Sequence, residues 1–157
     1  MIVVDPPIMR VAVLDLGKVR VGLAVTDEIG AMAHPRPPLD ARVRSDLLRK
    51  IKDFAEQESV DHFVVGLPLD PAGQRGPAAR KAMAFAQQLF EFTGINVVLW
   101  DERFSTSEAT RRLREGGHRA RESRAKIDSA AACLILQAWL DSQSGSCLLY
   151  TSDAADD

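Results

Sequence analysis

The chain has 157 residues, of which 46% are hydrophobic and 27% are charged, and its formal net charge at pH 7 is −2. These values are typical of one soluble globular domain and exclude a disordered or fibrous chain. No apolar run is long enough to span a membrane, and two cysteines are too few for a disulfide framework, so we expect a cytoplasmic protein.

The net negative charge comes from the two ends of the chain. The last eleven residues contain three Asp residues and no basic residue, so the net charge without them is +1; without residues 1–8, which contain Asp5, it is +2. We therefore expect one domain over residues 9–142, an N-terminal extension over residues 1–8, and a disordered or non-native tail over residues 143–157. The alternative for this tail is a native acidic segment.

The first part of the domain has the pattern of an antiparallel meander. Residues 10–16 have the pattern of a buried strand, Gly17-Lys18 forms a turn, and residues 19–26 form the second arm of a hairpin. The segment AMAHPRPPL predicts a short third strand that ends at its prolines.

The second part of the domain alternates helices with strands. The predicted elements are a helix from Ser45, a strand over 62–67, a helix that ends at Gly94, a buried strand over 95–100, a helix from Ser105 to Gly116-Gly117, and a helix from about Asp128 to Asp141. The order β-β-β-α-β-α-β-α-α predicts an α/β fold with a mixed sheet and helices on both faces.

Three carboxylates stand at the edge of the predicted core. Asp15 lies in phase with the apolar residues of the first strand, Glu102 follows the strand over 95–100, and Asp128 begins the apolar stripe of the last helix. Burying a carboxylate is costly unless it is paired, protonated or bound to a cation. Because oxygen ligands suit Mg²⁺ and Mn²⁺, we expect these acids to form one catalytic site that holds one or two divalent ions.

Each acid also has a purely structural interpretation. Asp15 could be a turn residue at a strand end, and Asp128 could be a helix N-cap. Glu102 could simply mark the exit from a strand, where Asp101 is an equally good candidate by position.

A basic segment lies between the second and the third acid. From Arg103 to Lys126 there are eight basic and three acidic residues, which gives a charge of about +5. Such a segment would attract nucleic acid, and the alternative is a solvated loop. The predicted substrate-binding residues are Arg20, Arg103, Arg111, Arg119, Arg121 and Lys126.

Four segments, in this order and spacing, resemble the YqgF family: VAVLDLGKVRVGLAVTD, VVGLPLDPAGQRGPAARKAMAFA, WDERFST and KIDSAAACLILQAWL. The resemblance covers roughly residues 9–142. It implies a ribonuclease H-like fold with a five-stranded mixed sheet, and a nuclease that processes the 5′ end of pre-16S rRNA in ribosome biogenesis. It also implies catalytic acids at Asp15, Glu102 and Asp128. The first turn departs from the family pattern. Val19 stands where a basic residue is usual, and the basic residues Lys18 and Arg20 lie on either side of it.

Two other functions stay open. The family is also described as Holliday junction resolvases, and two symmetric cuts in branched DNA would require a homodimer. A non-catalytic module that binds nucleic acid or the ribosome would show salt-sensitive binding without cleavage. The sequence separates neither RNA from DNA nor a monomer from a homodimer.

Overall fold

A computed structural model describes residues 10–104 and 129–143 of the chain. Its five strands form one mixed sheet, as predicted, in the order β3-β2-β1-β4-β5. The strands are β1 (Val11–Leu16), β2 (Arg20–Thr26), β3 (Ala33–Asp40), β4 (His62–Leu67) and β5 (Asn96–Asp101). The helices are α1 (Arg44–Glu58), α2 (Pro77–Thr93) and α3 (129–143), and a 3₁₀ turn spans Glu102–Phe104. None of the helices described is long and apolar enough to cross a membrane.

The first two strands form the predicted hairpin. The backbone N–H of Gly17 donates to the carbonyl oxygen of Arg20 at 2.9 Å. A Cβ atom on residue 17 would lie only 2.5 Å from that oxygen, so this turn needs glycine. β1 then pairs with β4, and β4 with β5, both in parallel, so the carboxyl ends of these three strands meet at one edge of the sheet.

The prediction that the third strand ends at its prolines is wrong. β3 runs from Ala33 to Asp40 and includes Pro35 and the dipeptide Pro37-Pro38. The register with β2 shifts at this dipeptide, which lies opposite Gly22 alone in a β-bulge. Proline is tolerated here because β3 is an edge strand in the part of the chain that is described, where some of its N–H groups have no partner strand.

Helices cover both faces of the sheet, as predicted. α1 and α2 pack on one face around a core that includes Leu14, Phe63 and Phe85. α3 packs on the other face, where Ile135 and Leu136 contact a second cluster. In β1, residues 11 and 13 belong to this second cluster. Because side chains alternate along a strand, Asp15 lies on the same face as α3.

The structure confirms the strand over 62–67 and the end of α2. Gly94 follows α2 with φ of 73°, and its N–H donates to the carbonyl oxygen of Phe90 at 2.8 Å. β5 is not the fully buried strand that the sequence predicts. It is the last strand of the sheet in the part of the chain that is described, and Leu99 is 36% exposed.

A network of charged side chains joins the start of β1, the end of β2 and the end of α1 to Arg36 in the middle of β3. The guanidinium of Arg10 donates to the carbonyl oxygens of Thr26 and Glu58. The carboxylate of Glu58 accepts a hydrogen bond from Nε of Arg36 at 2.6 Å and lies 3.3 Å from Nη1 of Arg10. This network connects β1, β2, β3 and the end of α1.

Candidate active site

A cavity of about 560 Å³ opens at the carboxyl ends of β1 and β4. Ligands of α/β proteins commonly bind at this end of the strands. The first turns of α1 and α2 and the β1–β2 turn form its walls. Its lining residues are Asp15, Leu16, Gly17, Lys18, Val21, Ala41, Arg44, Leu47, Gly66, Pro68, Pro77, Ala78, Lys81, Ala82, Phe85 and Glu102.

Two of the three predicted catalytic acids, Asp15 and Glu102, line this cavity together. They are 87 residues apart in the sequence and are brought together because β1, β4 and β5 run parallel. Asp15 is 4% exposed, and it is the one acidic or basic residue that is buried within residues 10–104 and 129–143. A buried carboxylate in a cavity fits a site that binds a cation.

Gly66 allows Glu102 to approach the site. A Cβ atom on residue 66 would lie 2.5 Å from Oε1 of Glu102 and 3.1 Å from its Cδ. The Glu102 carboxylate therefore extends from the end of β5 across β4, which is the strand next to β1. No local pattern in the sequence indicates this role of Gly66, because the close approach depends on the pairing of neighbouring strands.

The neighbouring acid, Asp101, has a different role. Its carboxylate accepts two hydrogen bonds from the guanidinium of Arg103, from Nη2 at 2.7 Å and from Nε at 3.0 Å. These bonds from Arg103 lower the pKa of Asp101. By position in the sequence Asp101 and Glu102 are equal candidates; in the structure Asp101 pairs with Arg103 and Glu102 lines the cavity.

The third predicted acid, Asp128, lies outside the described residues, and its place in the site stays a prediction. Its neighbour Ser129 is 4% exposed, and its hydroxyl donates to the carbonyl oxygen of Arg36 at 2.6 Å. Arg36 pairs with Leu23, which pairs with Leu14 on β1. The described part of α3 thus begins against β3. Its contact there is level with Leu14, the residue before Asp15 on β1.

The donor set fits a hard divalent cation as far as it is described. Asp15 and Glu102 offer carboxylate oxygens, which are the ligands that Mg²⁺ and Mn²⁺ prefer. Residues 10–104 and 129–143 do not by themselves form a group of three or more metal-ligating side chains. A complete set would need a further ligand, and Asp128 is the residue that the sequence predicts for it.

The predicted substrate-binding residues divide into three groups. Arg103 forms the ion pair with Asp101, so its contact with substrate stays a prediction. Arg20 begins β2 and is not among the residues that line the cavity. The remaining four lie outside the described residues: Arg111, Arg119, Arg121 and Lys126.

Three basic residues of the cavity are absent from the sequence-based prediction. Lys18 comes from the β1–β2 turn, Arg44 from the start of α1, and Lys81 from the first turns of α2. Each lies near other charged residues in the sequence, as Lys81 does beside Arg80, and looks like a residue on a solvated surface. Only the order of the strands brings these three segments to one cavity, so no local pattern could have identified them.

Comparison with known proteins identifies the family. The family model described as "RuvX: Holliday junction resolvase" matches residues 9–142. The chain belongs to the RuvX family, which is the same family as YqgF. A relative from Anaeromyxobacter sp. (strain Fw109-5), named "Putative pre-16S rRNA nuclease", is 47% identical over 133 residues, which are 85% of this chain and 97% of that protein. A relative from Mycobacteroides abscessus with the same name is 43% identical over 140 residues, 87% of this chain and 84% of that protein.

Solved structures show the same fold. RuvC from Thermus thermophilus, solved in complex with a Holliday junction substrate, has a TM-score of 0.54 and 14% identity, and the match covers 88% of this chain and 97% of that one. The fowlpox virus Holliday junction resolvase has a TM-score of 0.50 and 12% identity, with 85% and 99% covered. The predicted ribonuclease H-like fold, the predicted family and the predicted enzyme class, a nuclease, are confirmed for this RuvX-family chain.

Proposed function

We propose that this RuvX-family protein is a metal-dependent nuclease that processes the 5′ end of pre-16S rRNA during ribosome biogenesis. The observation that carries the proposal is the meeting of Asp15 and Glu102 in one cavity at the carboxyl ends of parallel strands. The names of the relatives support the choice of substrate. This substrate implies a cytoplasmic protein that meets the assembling ribosome, with a catalytic domain over residues 9–142.

In the proposed site, Asp15, Glu102 and Asp128 would hold Mg²⁺ or Mn²⁺, as one or two ions. A bound divalent ion would supply charge stabilisation for the phosphoryl group and acidify the attacking water. Asp15 lies on β1 and is buried, which restricts the movement of its side chain. Glu102 reaches the site across Gly66. The hydrolysis forms a bond between water oxygen and phosphorus and breaks the bond to the leaving oxygen, which takes up a proton.

The proposal is tested by cleavage of an RNA that carries the unprocessed 5′ end of 16S rRNA. We expect cleavage with Mg²⁺ or Mn²⁺, none with EDTA, and a loss of about 100-fold or more in kcat for Asp15→Asn and for Glu102→Gln. The control is Asp53→Asn, an exposed acid on α1 outside the cavity. Cleavage by Asp15→Asn at the rate of the unmodified protein would refute the proposed mechanism.

A second candidate function is resolution of four-way DNA junctions, which the description of the family favours. It uses the same acids but requires two symmetric cuts and hence a homodimer. A four-way junction is therefore assayed beside the RNA, with the molar mass in solution measured on the same sample. Paired cuts in the junction by a dimer, without RNA processing, would favour the resolvase. Binding of either substrate with no cleavage would favour a non-catalytic module.

A further inference from the structure

The cavity beside the two acids has a basic side. Lys18, Arg44 and Lys81 line it from three separate segments: the β1–β2 turn, the start of α1 and the start of α2. Three cations therefore border the cavity that Asp15 and Glu102 also line. Positive charge of this kind, next to acids that would hold a metal ion, offsets the repulsion between these acids and an approaching phosphate.

The two lysines are available to a ligand, whereas the arginine is engaged. The guanidinium of Arg44 lies 5.1 Å from the centre of the Phe85 ring and donates a hydrogen bond to the side chain of Gln88. Lys18 and Lys81 are exposed, and neither forms an ion pair with any residue of 10–104 or 129–143. Lysine acts as a compact point charge with three rotatable donors, which suits a phosphate oxygen in several geometries.

The rest of the lining concentrates this charge. Val21, Leu47 and Phe85 line the cavity and are almost completely buried. Apolar walls of low dielectric constant focus the field of the charges that border a cleft and raise the local concentration of anions there. The basic side of the cavity is thus better suited to an anion than the same lysines would be on an open surface.

We infer that this cavity binds the phosphodiester backbone of the substrate strand beside the scissile bond, with Lys18 and Lys81 as the residues that contact the phosphates. The inference rests on the proposed function, since the acids position the scissile phosphate and the strand must continue past them. It adds two binding residues that lie outside the basic segment from Arg103 to Lys126. The same chemistry would suit a free phosphate ion, which the experiment separates from a strand.

The experiment measures binding of a fluorescently labelled 5′-precursor RNA in EDTA at several KCl concentrations. The variants are Lys18→Met and Lys81→Met, which keep most of the side-chain volume and remove the charge. The matched control is Lys50→Met, an exposed lysine of α1 outside the cavity. Thermal unfolding of each variant verifies the fold, and Lys81→Arg tests whether charge alone restores binding.

Each cavity variant is expected to weaken binding about fivefold at low salt and to reduce the slope of log affinity against log salt by about 0.7, the value for one phosphate contact on a single strand. In Mg²⁺, KM rises while kcat changes little. Lys50→Met keeps the slope and affinity of the unmodified protein, and Lys81→Arg restores both.

Three results would contradict either the inference or the proposed function. Unchanged affinity and salt slope in both cavity variants, when the unmodified protein binds and cleaves RNA, would refute the inference and leave the proposed function intact. Absence of binding and cleavage by the unmodified protein would instead refute the proposed function on which it rests. Displacement of RNA by inorganic phosphate at constant ionic strength, lost in Lys81→Met, would identify a site for a free anion rather than for a strand.

Discussion

Glu102, which directly follows β5, lies against Gly66 on the neighbouring strand β4: a Cβ atom on residue 66 would lie 2.5 Å from Oε1 of Glu102. The contact places the Glu102 carboxylate over β4, beside the strand that carries Asp15. The position of one of the proposed metal ligands thus depends on the absence of a side chain from the neighbouring strand.

The variant Gly66→Ala should therefore lose activity without losing its fold. The carboxylate that the new Cβ atom would meet is the far end of the flexible Glu102 side chain, so it can move away at low cost. It would then leave the position in which it faces the cavity. We expect kcat to fall by about 100-fold, with a change in Tm of a few degrees at most. The control is Gly76→Ala, because a Cβ atom on residue 76 would meet nothing within 4 Å. Full activity in Gly66→Ala would show that the position of Glu102 is not critical.

Divalent metal should stabilise the folded protein through the buried Asp15. A ligand that binds only the folded state raises stability according to its concentration relative to its Kd, by about 2.7 kcal/mol at one hundred times Kd. We expect Mn²⁺ and Mg²⁺ to raise Tm in a thermal-shift measurement, and Ca²⁺ as well if the site tolerates its larger radius. Asp15→Asn should abolish this rise, and Asp53→Asn should not. An equal rise in Asp15→Asn would mean that the metal binds elsewhere.

The network around Glu58 should make stability depend on pH in the acid range. The pKa of Glu58 is lowered from its ordinary value of 4.5, first because Arg36 donates a hydrogen bond to its carboxylate and then because Arg10 is close. A lowered pKa in the folded state gives stability that is present above pH 4.5 and is lost as the pH falls through the folded-state pKa. We expect Glu58→Gln to cost about 1 kcal/mol at neutral pH and to flatten this dependence.

The measurement is urea unfolding from pH 7 to pH 3. Asp40→Asn serves as the comparison, because Asp40 also pairs with an arginine, Arg42, but on an exposed surface. Solvent screens that pair, so its loss should change stability less than the loss of the Glu58 carboxylate. A larger effect of Asp40→Asn would contradict the importance assigned to the network at the ends of β1, β2 and α1.

Arg103 can be assigned to substrate or to structure by comparing two variants that break the same ion pair. Its backbone N–H and its guanidinium both donate to Asp101, which holds the 3₁₀ turn that begins at Glu102. We expect Arg103→Gln and Asp101→Asn to lower kcat several-fold and alike, with RNA affinity nearly unchanged, because each loosens the support of Glu102. Weaker RNA binding in Arg103→Gln alone would instead support the phosphate contact that the sequence predicts.

Much of the fold could be predicted because its signals are local. The strand His62–Leu67 is a short apolar run, and Gly94 ends α2 with a left-handed backbone conformation. The errors concern β3 and β5, the two outer strands of the sheet as far as the chain is described. The prolines of β3 were expected to end it, and β5 was expected to be buried, because a local pattern does not reveal which strands lie at the edge of a sheet.

The candidate site was predictable only where a residue conflicts with its own surroundings. A carboxylate at the end of an apolar strand is such a conflict: it predicted Asp15, and it predicted Glu102 without separating it from its neighbour Asp101. Lys18 and Lys81 conflict with nothing locally, since lysine is common in turns and on helix surfaces. Gly66 likewise has an ordinary local role, and its contact with Glu102 exists only once β4 and β5 are paired.

The prolines of β3 have a consequence for how these molecules behave when crowded. Three of the eight residues of this strand have no N–H group to offer, and the carbonyl oxygen of Arg36 already accepts the hydroxyl of Ser129. A strand from another molecule would find too few donors and acceptors there to continue the sheet in a regular ladder. This border of the protein is therefore protected against edge-to-edge aggregation by its own composition.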